Sequence, residues 1–317
     1  MPTDLLSAAE VAEELHIKKY TVYEMVKRGE IPASHVGKQV RVSRADLEAY
    51  LASRKTGAVR TVTEPSDYVA ERPPRQDASS DPVRGVIIAG QDVCLDILIN
   101  KVSELRGGGQ ALLRSYMGSY NGLNAMYRGK VTASASHLWS AETDTYNYTY
   151  IRHLLPGIPA GAIRLAGRKQ GCYVKKGNPL GITGWEDLRR ADVTMINREM
   201  GSGTRILLDQ KMCILGIDAA TVNGYNNVNS SHIAVASAVV NGVADVGFGC
   251  ESVAGNMAGI EFIPLQLEWY DFVYKLVDTK LPVMRALIDY ATSDEFKRDL
   301  STIGNYDLSQ TGIQKTF

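Results

Sequence analysis

The sequence lacks the features that would place it among membrane, secreted or metal-binding proteins. Its four cysteines, Cys94, Cys172, Cys213 and Cys250, are far apart and match no metal-ligand spacing, so we expect buried thiols and no metal site. No apolar run approaches the roughly 18 residues of a membrane-spanning helix. The N-terminal segment, MPTDLLSAAEVAEELHIKK, lacks the positively charged residues followed by an apolar run that are typical of a signal peptide. We therefore expect a cytoplasmic protein that does not enter a membrane.

Net charge is also absent, since 35 basic residues balance 35 acidic ones, and overall charge does not indicate a nucleic-acid partner. The length of 317 residues suits two or three domains. Residues 56–82 hold scattered charges and several prolines without a sustained apolar period, which is typical of a linker. The sequence thus predicts a small domain at 1–55, a linker at 56–82 and a large domain at 83–317.

The first 55 residues predict a helix, a turn, a second helix, a hairpin and a third helix. A capping box, Ser7-Ala-Ala-Glu10, opens the first helix. The second helix spans Lys18 to Arg28, and the alternating segment SHVGKQVRVS turns at Gly37-Lys38. The third helix runs from Ala45 to about Ser53. This order is that of a winged helix-turn-helix.

The second helix of this domain carries cations, phenols and a hydroxyl, a mixture that suits a helix in the major groove of double-stranded DNA. The alternative is an ordinary solvated helix face. The candidate DNA-binding residues are Lys18, Lys19, Tyr20, Tyr23, Lys27 and Arg28 on the helix, with Lys38 and Arg41 on the hairpin.

The same segment resembles the excisionase-type, MerR-related DNA-binding domains. The resemblance is carried by Glu10-x-Ala12-x-x-Leu15, Thr21-Val22-Tyr23, Arg28-Gly29-Glu30-Ile31-Pro32 and Gly37-Lys38 with Arg41. Lys18-Lys19 stand where that family often has small hydroxyl residues, so the family's base preference does not carry over.

The large domain repeats a strand–turn–helix pattern, as in ADVTMINREMGSGTRILLDQKM, which predicts an α/β fold with parallel strands. Ligand sites in such folds lie at the carboxyl ends of the strands. Four of the turns deliver small polar or histidine residues just before a helix: Gly118-Ser119, Ser134-Ala-Ser136-His137, Gly201-Ser-Gly-Thr204 and Ser230-Ser231-His232. A single turn of this kind would indicate only a helix cap. Four of them in one domain favour hydrogen-bond donors that converge on an anion.

Residues 83–317 resemble the type 2 periplasmic-binding-protein fold, in the branch fused to DNA-binding domains. The motifs include GSYNGLNAM, SHLWSAETDTYN, INREMGSGTR, SSHIAVASAVVNGVADVGFG and IEFIPLQLEWYDFV. The resemblance implies one lobe at about 83–167 and 265–317, and a second at about 168–264. It also implies hinge crossings near Gly167–Gly171 and Phe262–Leu267.

Relatives of this fold bind molybdate, tungstate, phosphate and sulfate through hydroxyl and backbone donors at helix starts. By that resemblance the candidate ligand-binding residues are Ser119, Ser136, Ser202, Gly203, Thr204, Arg205 and Ser231. Arg198 and Arg205 flank the Ser202 turn and could pair with the anion or with nearby carboxylates. We expect molybdate or tungstate as the effector, and phosphate, sulfate or a small carboxylate as the alternatives. An arginine at the anion would favour phosphate or a carboxylate.

The combination predicts a one-component transcription regulator that binds double-stranded DNA and senses an oxyanion. We expect a homodimer or higher homo-oligomer, because helix-turn-helix proteins usually bind paired half-sites. No nucleophile motif, cofactor motif or catalytic residue set is recognisable, so we do not expect an enzyme. The alternatives are a binding-protein fold reused for catalysis and a recombination accessory protein.

Overall fold

The computed structural model describes residues 5–27, 31–36, 39–53, 85–106 and 110–317. The chain divides into two compact units, Met1–Pro74 and Arg75–Phe317, which are described separately. The predicted linker, Arg28 and the predicted turn at Gly37-Lys38 lie outside the described residues, and so does the side chain of Lys27.

The small unit contains the three predicted helices and the predicted hairpin strands. Ser7 accepts the amide of Glu10 and donates its own amide to that carboxylate at 2.7 Å, so the predicted capping box is confirmed. A short first strand, β1, was not predicted, because three residues are too few to show an alternating pattern. The elements are β1 Leu5–Ser7, α1 Ala8–Glu14, α2 Lys19–Lys27, β2 Ser34–Val36, β3 Gln39–Ser43 and α3 Arg44–Ser53.

The three strands of this unit form an antiparallel sheet in the order β1-β3-β2. Apolar side chains from all three helices and the sheet pack into one core, including Val11, Val22, Val42 and Leu47. The core orients α2 so that its opposite face, with Tyr20 and Tyr23, is exposed.

The large unit alternates strands and helices, as predicted. Its first half comprises β4 Val86–Ala89, α4 Val93–Arg106, β5 Leu112–Ser115, α5 Ser119–Tyr127, β6 Ala133–Ser136, β7 Trp139–Ser140, β8 Thr145–Tyr146, α6 Tyr148–Leu154 and β9 Ala160–Lys175. Its second half comprises β10 Met195–Arg198, α7 Gly203–Leu215, β11 Val228–Asn229, α8 His232–Val240, β12 Val246–Cys250, α9 Glu251–Ala254, β13 Ile260–Lys275, α10 Pro282–Ala291, α11 Asp294–Ser301, β14 Tyr306–Asp307 and β15 Gln314–Thr316.

Two long strands hold the large unit together. The main sheet has the order β11-β10-β12-β9-β13-β6-β4-β5, with β14 and β15 also paired to β9. The pairs β4–β5, β4–β6 and β10–β12 are parallel, as expected, whereas β9 and β13 are antiparallel. Both long strands extend through two parts of this unit, in opposite directions: the part that contains β4–β6, here called the first lobe, and the part that contains β10–β12, the second lobe.

Each lobe has its own apolar core. In the first lobe α4, α10 and α11 pack on one sheet face and α5 and α6 on the other. In the second lobe, α7 and α8 cover β10 and β12. Arg168 of β9 lies opposite Glu268 of β13, between these cores. The register of β13 shifts between Pro264 and Gln266, within the segment predicted as the second crossing.

Candidate anion-binding cavity and DNA-facing helix

A small cavity lies between the two lobes where strands end and helices begin. The cavity has a volume of about 10 Å³ in this structure, close to what a single water molecule needs. Residues from all four turns that the sequence analysis singled out line it. The lining residues are Gly90, Gln91, Met117, Gly118, Ser119, Ala135, His137, Arg168, Arg198, Ser202, Gly203, His232 and Tyr270.

Two serine hydroxyls reach this cavity from opposite lobes. Ser119 Oγ accepts the backbone amide of His137 at 3.2 Å, and Ser202 Oγ accepts the amide of Arg205 at 3.2 Å. Each hydroxyl oxygen therefore already accepts a bond from the protein, and its own proton is left to donate. Both serines are almost completely buried. They are suited to donate to a guest oxygen that enters the cavity.

The cavity also receives the starts of helices α5, α7 and α8. The first-turn amides of a helix have no acceptor within the helix and carry its partial positive charge. Gly203 is the first residue of α7, and a Cβ built there would lie 2.6–2.8 Å from ring atoms of His137. Only glycine therefore lets this helix start approach the opposite lobe so closely.

The lobes are in direct contact beside the cavity, so the structure is a closed form. Tyr120 donates its amide to the carbonyl of Gly201 at 3.0 Å, and Asn121 Nδ2 donates to the carbonyl of Met200 at 2.9 Å. A Cβ on Gly118 would lie 2.6 Å from Ser202 Cα. The turn that begins α5 and the turn that begins α7 thus form one wall together.

Arg168, a fully buried residue of β9, lies at the cavity between two carboxylates. Its guanidinium donates to Glu268 and Asp92 and packs over the Tyr270 ring, 4.4 Å from the ring centre. Burial is the largest influence on both acids and opposes their ionisation, but Arg168 and the hydrogen bonds to each carboxylate together outweigh it and lower each pKa below its usual value. Tyr306 donates to Asp92 at 2.6 Å and completes this network.

Arg198, at the end of β10, is the second cation of the cavity wall. It donates to Glu199 at 2.8 and 2.9 Å and to Gln91 Oε1 of the first lobe at 3.0 Å. The sequence alone leaves open whether Arg198 pairs with an anion or with a nearby acid. In this closed form it pairs with Glu199 and also joins the lobes through Gln91.

Two buried histidines lie at the cavity, His137 in the first lobe and His232 in the second. His137 Nδ1 is 2.8 Å from Glu268 Oε2. Burial lowers the pKa of His137, Glu268 raises it and Arg168 lowers it, with a lowered value as the net result. Burial, with Arg198 and Arg168 close by, lowers the pKa of His232 further, and His232 Nδ1 has no hydrogen-bond partner within the described chain.

Four of the seven predicted ligand residues do not line the cavity. Ser136 Oγ is buried without a hydrogen-bond partner in the described residues. Thr204 accepts a bond from Gln170 at 2.6 Å. Arg205 is held by Asp209 and stacks on Tyr225, and Ser231 caps α8 by accepting the amide of Ala234.

Sequence reasoning missed three components of this site, namely Arg168, Glu268 and Tyr270. They come from the two long strands, not from the turns that precede helices. The sequence does contain an indication of them, because a charged residue within a mostly apolar strand is expected to be buried and to need a partner of opposite charge. The pairing of Arg168 with Glu268, however, depends on the register between β9 and β13.

Most of the predicted DNA-facing residues that the structure describes are exposed. Lys18 precedes α2, and Lys19, Tyr20 and Tyr23 lie on it, all with exposed side chains. Arg41 lies on β3 and is half-buried. Lys27 closes α2, but its side chain, Arg28 and Lys38 are outside the described residues.

The described residues contain no cluster of three or more histidine, cysteine, aspartate or glutamate residues with metal-binding geometry. None of the described helices is both long and apolar enough to span a bilayer. Three cysteines are buried as expected, but the expectation is wrong for Cys213, which is exposed on α7.

Two family models match separate parts of the chain. Residues 5–55 match the model of a helix-turn-helix domain, and residues 102–292 match that of the PBP superfamily domain. The uncharacterized protein YvgK of Bacillus subtilis is 39% identical over 98% of this chain and 97% of its own length. An uncharacterized Clostridium pasteurianum protein, encoded in the ferredoxin 2Fe-2S gene 5′ region, is 44% identical over 34% of this chain and 95% of its own.

Solved structures share the fold at low sequence identity. A putative phosphate transporter substrate-binding protein from Clostridium perfringens, with bound phosphate, aligns with a TM-score of 0.54 at 15% identity, covering 71% of this chain and 99% of its own. A tungstate ABC transporter structure from Geobacter sulfurreducens aligns with a TM-score of 0.50 at 14% identity, covering 69% and 98%. The chain therefore belongs to the PBP superfamily, as a type 2 periplasmic-binding-protein domain behind an excisionase-like helix-turn-helix domain.

Proposed function

We propose that this DNA-binding regulator senses a small oxyanion, which binds between the lobes of the large domain and changes how the helix-turn-helix domain binds its operator. The domain composition supports a DNA-binding regulator with a ligand-binding domain. The oxyanion is the finer part of the proposal. One observation carries it: donors from both lobes, at the starts of α5, α7 and α8, meet in one small cavity.

Molybdate and tungstate are the ligands we propose first. An arginine free to bind the anion would favour phosphate or a carboxylate, but Arg168 and Arg198 are both already paired with carboxylates in the closed form. Neutral donors, including Ser119, Ser202 and the first amides of α7, are then the remaining direct contacts. Such donors suit a fully deprotonated tetrahedral anion, because helix starts spread the positive potential.

The ligand proposal is tested by calorimetry of the purified full chain. Molybdate, tungstate, sulfate, phosphate and a small dicarboxylate are titrated separately, and we expect the tightest binding for molybdate or tungstate. If phosphate binds most tightly, phosphate is the ligand instead of molybdate or tungstate. Absence of binding for every oxyanion would refute the sensor proposal.

The DNA proposal is tested on a duplex selected from random sequence by the full chain. We expect a homodimer on paired half-sites, an affinity that changes when the oxyanion is added, and a strong salt dependence. Lys18→Ala with Lys19→Ala should weaken binding and lower the salt slope by about one unit per lost phosphate contact. Lys297→Ala, on α11 of the large domain, is the matched control, and equal effects of both variants would contradict a DNA-facing role for α2.

The enzyme alternative has a specific structural requirement. A serine nucleophile needs a hydrogen bond to its histidine base. Ser202 and both cavity histidines lie close together, but within the described chain Ser202 Oγ bonds Arg205 and His137 Nδ1 bonds Glu268. We therefore propose binding, not hydrolysis, for this site.

A further inference from the structure

The charged side chains around the cavity carry a net negative charge, which opposes the binding of an anion. Arg168 is paired with Asp92 and Glu268, and Arg198 is paired with Glu199. Together, these two cations and three carboxylates have a net charge of one negative unit. An incoming dianion therefore meets helix starts and hydroxyls that attract it, but also an excess of carboxylate.

His137 is the group at the cavity that is best placed to correct this imbalance. Its Nδ1 bonds Glu268 at 2.8 Å, so in the neutral form that nitrogen carries the proton and donates. Nε2 has no hydrogen-bond partner among the described residues. A proton added at Nε2 makes His137 a cation that pairs with Glu268 and donates towards a cavity guest.

Resting on the proposed oxyanion site, we propose that a dianion binds there together with one proton, which His137 Nε2 takes up. No covalent bond is made or broken. The solvent supplies the proton, and the imidazole becomes imidazolium while Glu268 remains its counterion. The ligand class is thus a tetrahedral dianion plus a proton.

The surroundings of His137 determine its state before and after binding. Burial favours the neutral ring when no anion is bound, because it lowers the pKa of His137 in spite of Glu268. A dianion at the cavity adds negative charge beside the ring and raises that pKa again. The groups that face His137 are Glu268 and Tyr270 of β13, Arg168 of β9, Arg198 of β10, His232 of α8, Ser119 of α5 and Gly203 of α7.

His232 lines the same cavity but is not placed to take the proton. The charged groups that act on it are the cations Arg198 and Arg168, with His137 as a third group that becomes positive. No carboxylate bonds its ring among the described residues, whereas Glu268 bonds His137. His232 therefore remains neutral and serves as the matched comparison.

The sign of the pH dependence follows from these shifts. Since the bound form has the higher His137 pKa, binding takes up a proton between the free and bound pKa values. Affinity is greatest below the free value, which lies under the usual value of about 6.5 for histidine. It falls up to about tenfold per pH unit as pH rises towards the bound value.

The experiment is calorimetry of the full chain with sulfate, molybdate and tungstate, which all keep two negative charges near neutral pH. Titrations at one pH in buffers of different ionisation enthalpy measure the protons taken up per anion. We expect up to one proton for the wild type and for His232→Asn. For His137→Asn, which retains a donor to Glu268, we expect no uptake and a pH-independent affinity.

Each other outcome has a defined meaning. Dianion binding without proton uptake would overturn the proton proposal and leave the oxyanion site intact, as would uptake that persists in His137→Asn. Binding of phosphate alone would also overturn it, and absence of binding for every oxyanion would refute the site itself. If His137→Asn does not fold, the wild-type proton count and Glu268→Gln, which should reduce the uptake, decide the question.

Discussion

The starts of α7 and α11 are built from the same capping bond but face different partners. Ser202 accepts the amide of Arg205 at 3.2 Å, and Ser293 accepts the amide of Phe296 at 3.1 Å. The first turn of α11 contains Asp294 and Glu295, whereas the first turn of α7 contains no acidic residue. The positive end of α11 therefore lies beside carboxylates of its own helix, while that of α7 is left for another anion.

This difference shows that capping and anion binding are not competing explanations of a serine. Ser202 performs the cap and still has a hydroxyl proton available inside the cavity. The helices α5 and α8, which also begin at the cavity, have no acidic residue in the first turn either. The absence of a carboxylate in the first turn distinguishes these helix starts from that of α11.

The largest effect is expected from Gly118→Ala, which should remove measurable oxyanion binding. The added Cβ would lie 2.6 Å from Ser202 Cα and 2.7 Å from the Gly201 carbonyl, and backbone atoms of the other lobe cannot yield cheaply. Calorimetry measures the loss. Gly255→Ala, where the nearest atom is 3.7 Å from the new Cβ, is the control. Normal affinity in Gly118→Ala would mean that ligand binding does not need the closed form.

The next effect is expected from replacing Ser119 and Ser202 together by alanine. Hydrogen bonds to a charged group contribute about 1.5–3 kcal/mol each, so the pair should lower oxyanion affinity at least 100-fold. Titration calorimetry and a thermal melt of the same sample separate lost binding from lost stability. Affinity within about threefold of the wild type would show that the hydroxyls do not contact the anion.

The smallest effect separates the two caps directly. Ser202→Ala and Ser293→Ala should each cost about 1 kcal/mol of stability, because each loses one capping bond. Only Ser202→Ala should also lower oxyanion affinity, by about tenfold or more. Chemical denaturation measures the first quantity and calorimetry the second. If both variants bind the oxyanion equally well, Ser202, like Ser293, caps its helix without contacting the ligand.

Much of the fold could be predicted from local patterns. The capping box of α1, the hairpin strands and the strand–turn–helix repeats all depend on residues close in the chain, and the structure contains them. The convergence of four polar turns was predicted on the same basis, since the carboxyl ends of neighbouring parallel strands share an edge. Of the predicted donors, Thr204 and Arg205 do not line the cavity in this structure.

The sequence by itself determined which helix starts are free of carboxylates and where serine and glycine allow an amide to be presented, because these are properties of a few adjacent residues. Only the tertiary structure decided which of those groups meet. Thr204 bonds Gln170 of β9, and Arg168 meets both Glu268 and Asp92, because the register of two antiparallel strands brings distant residues together. The same register places Glu268 beside His137 and thereby determines the charge that the cavity offers to an anion.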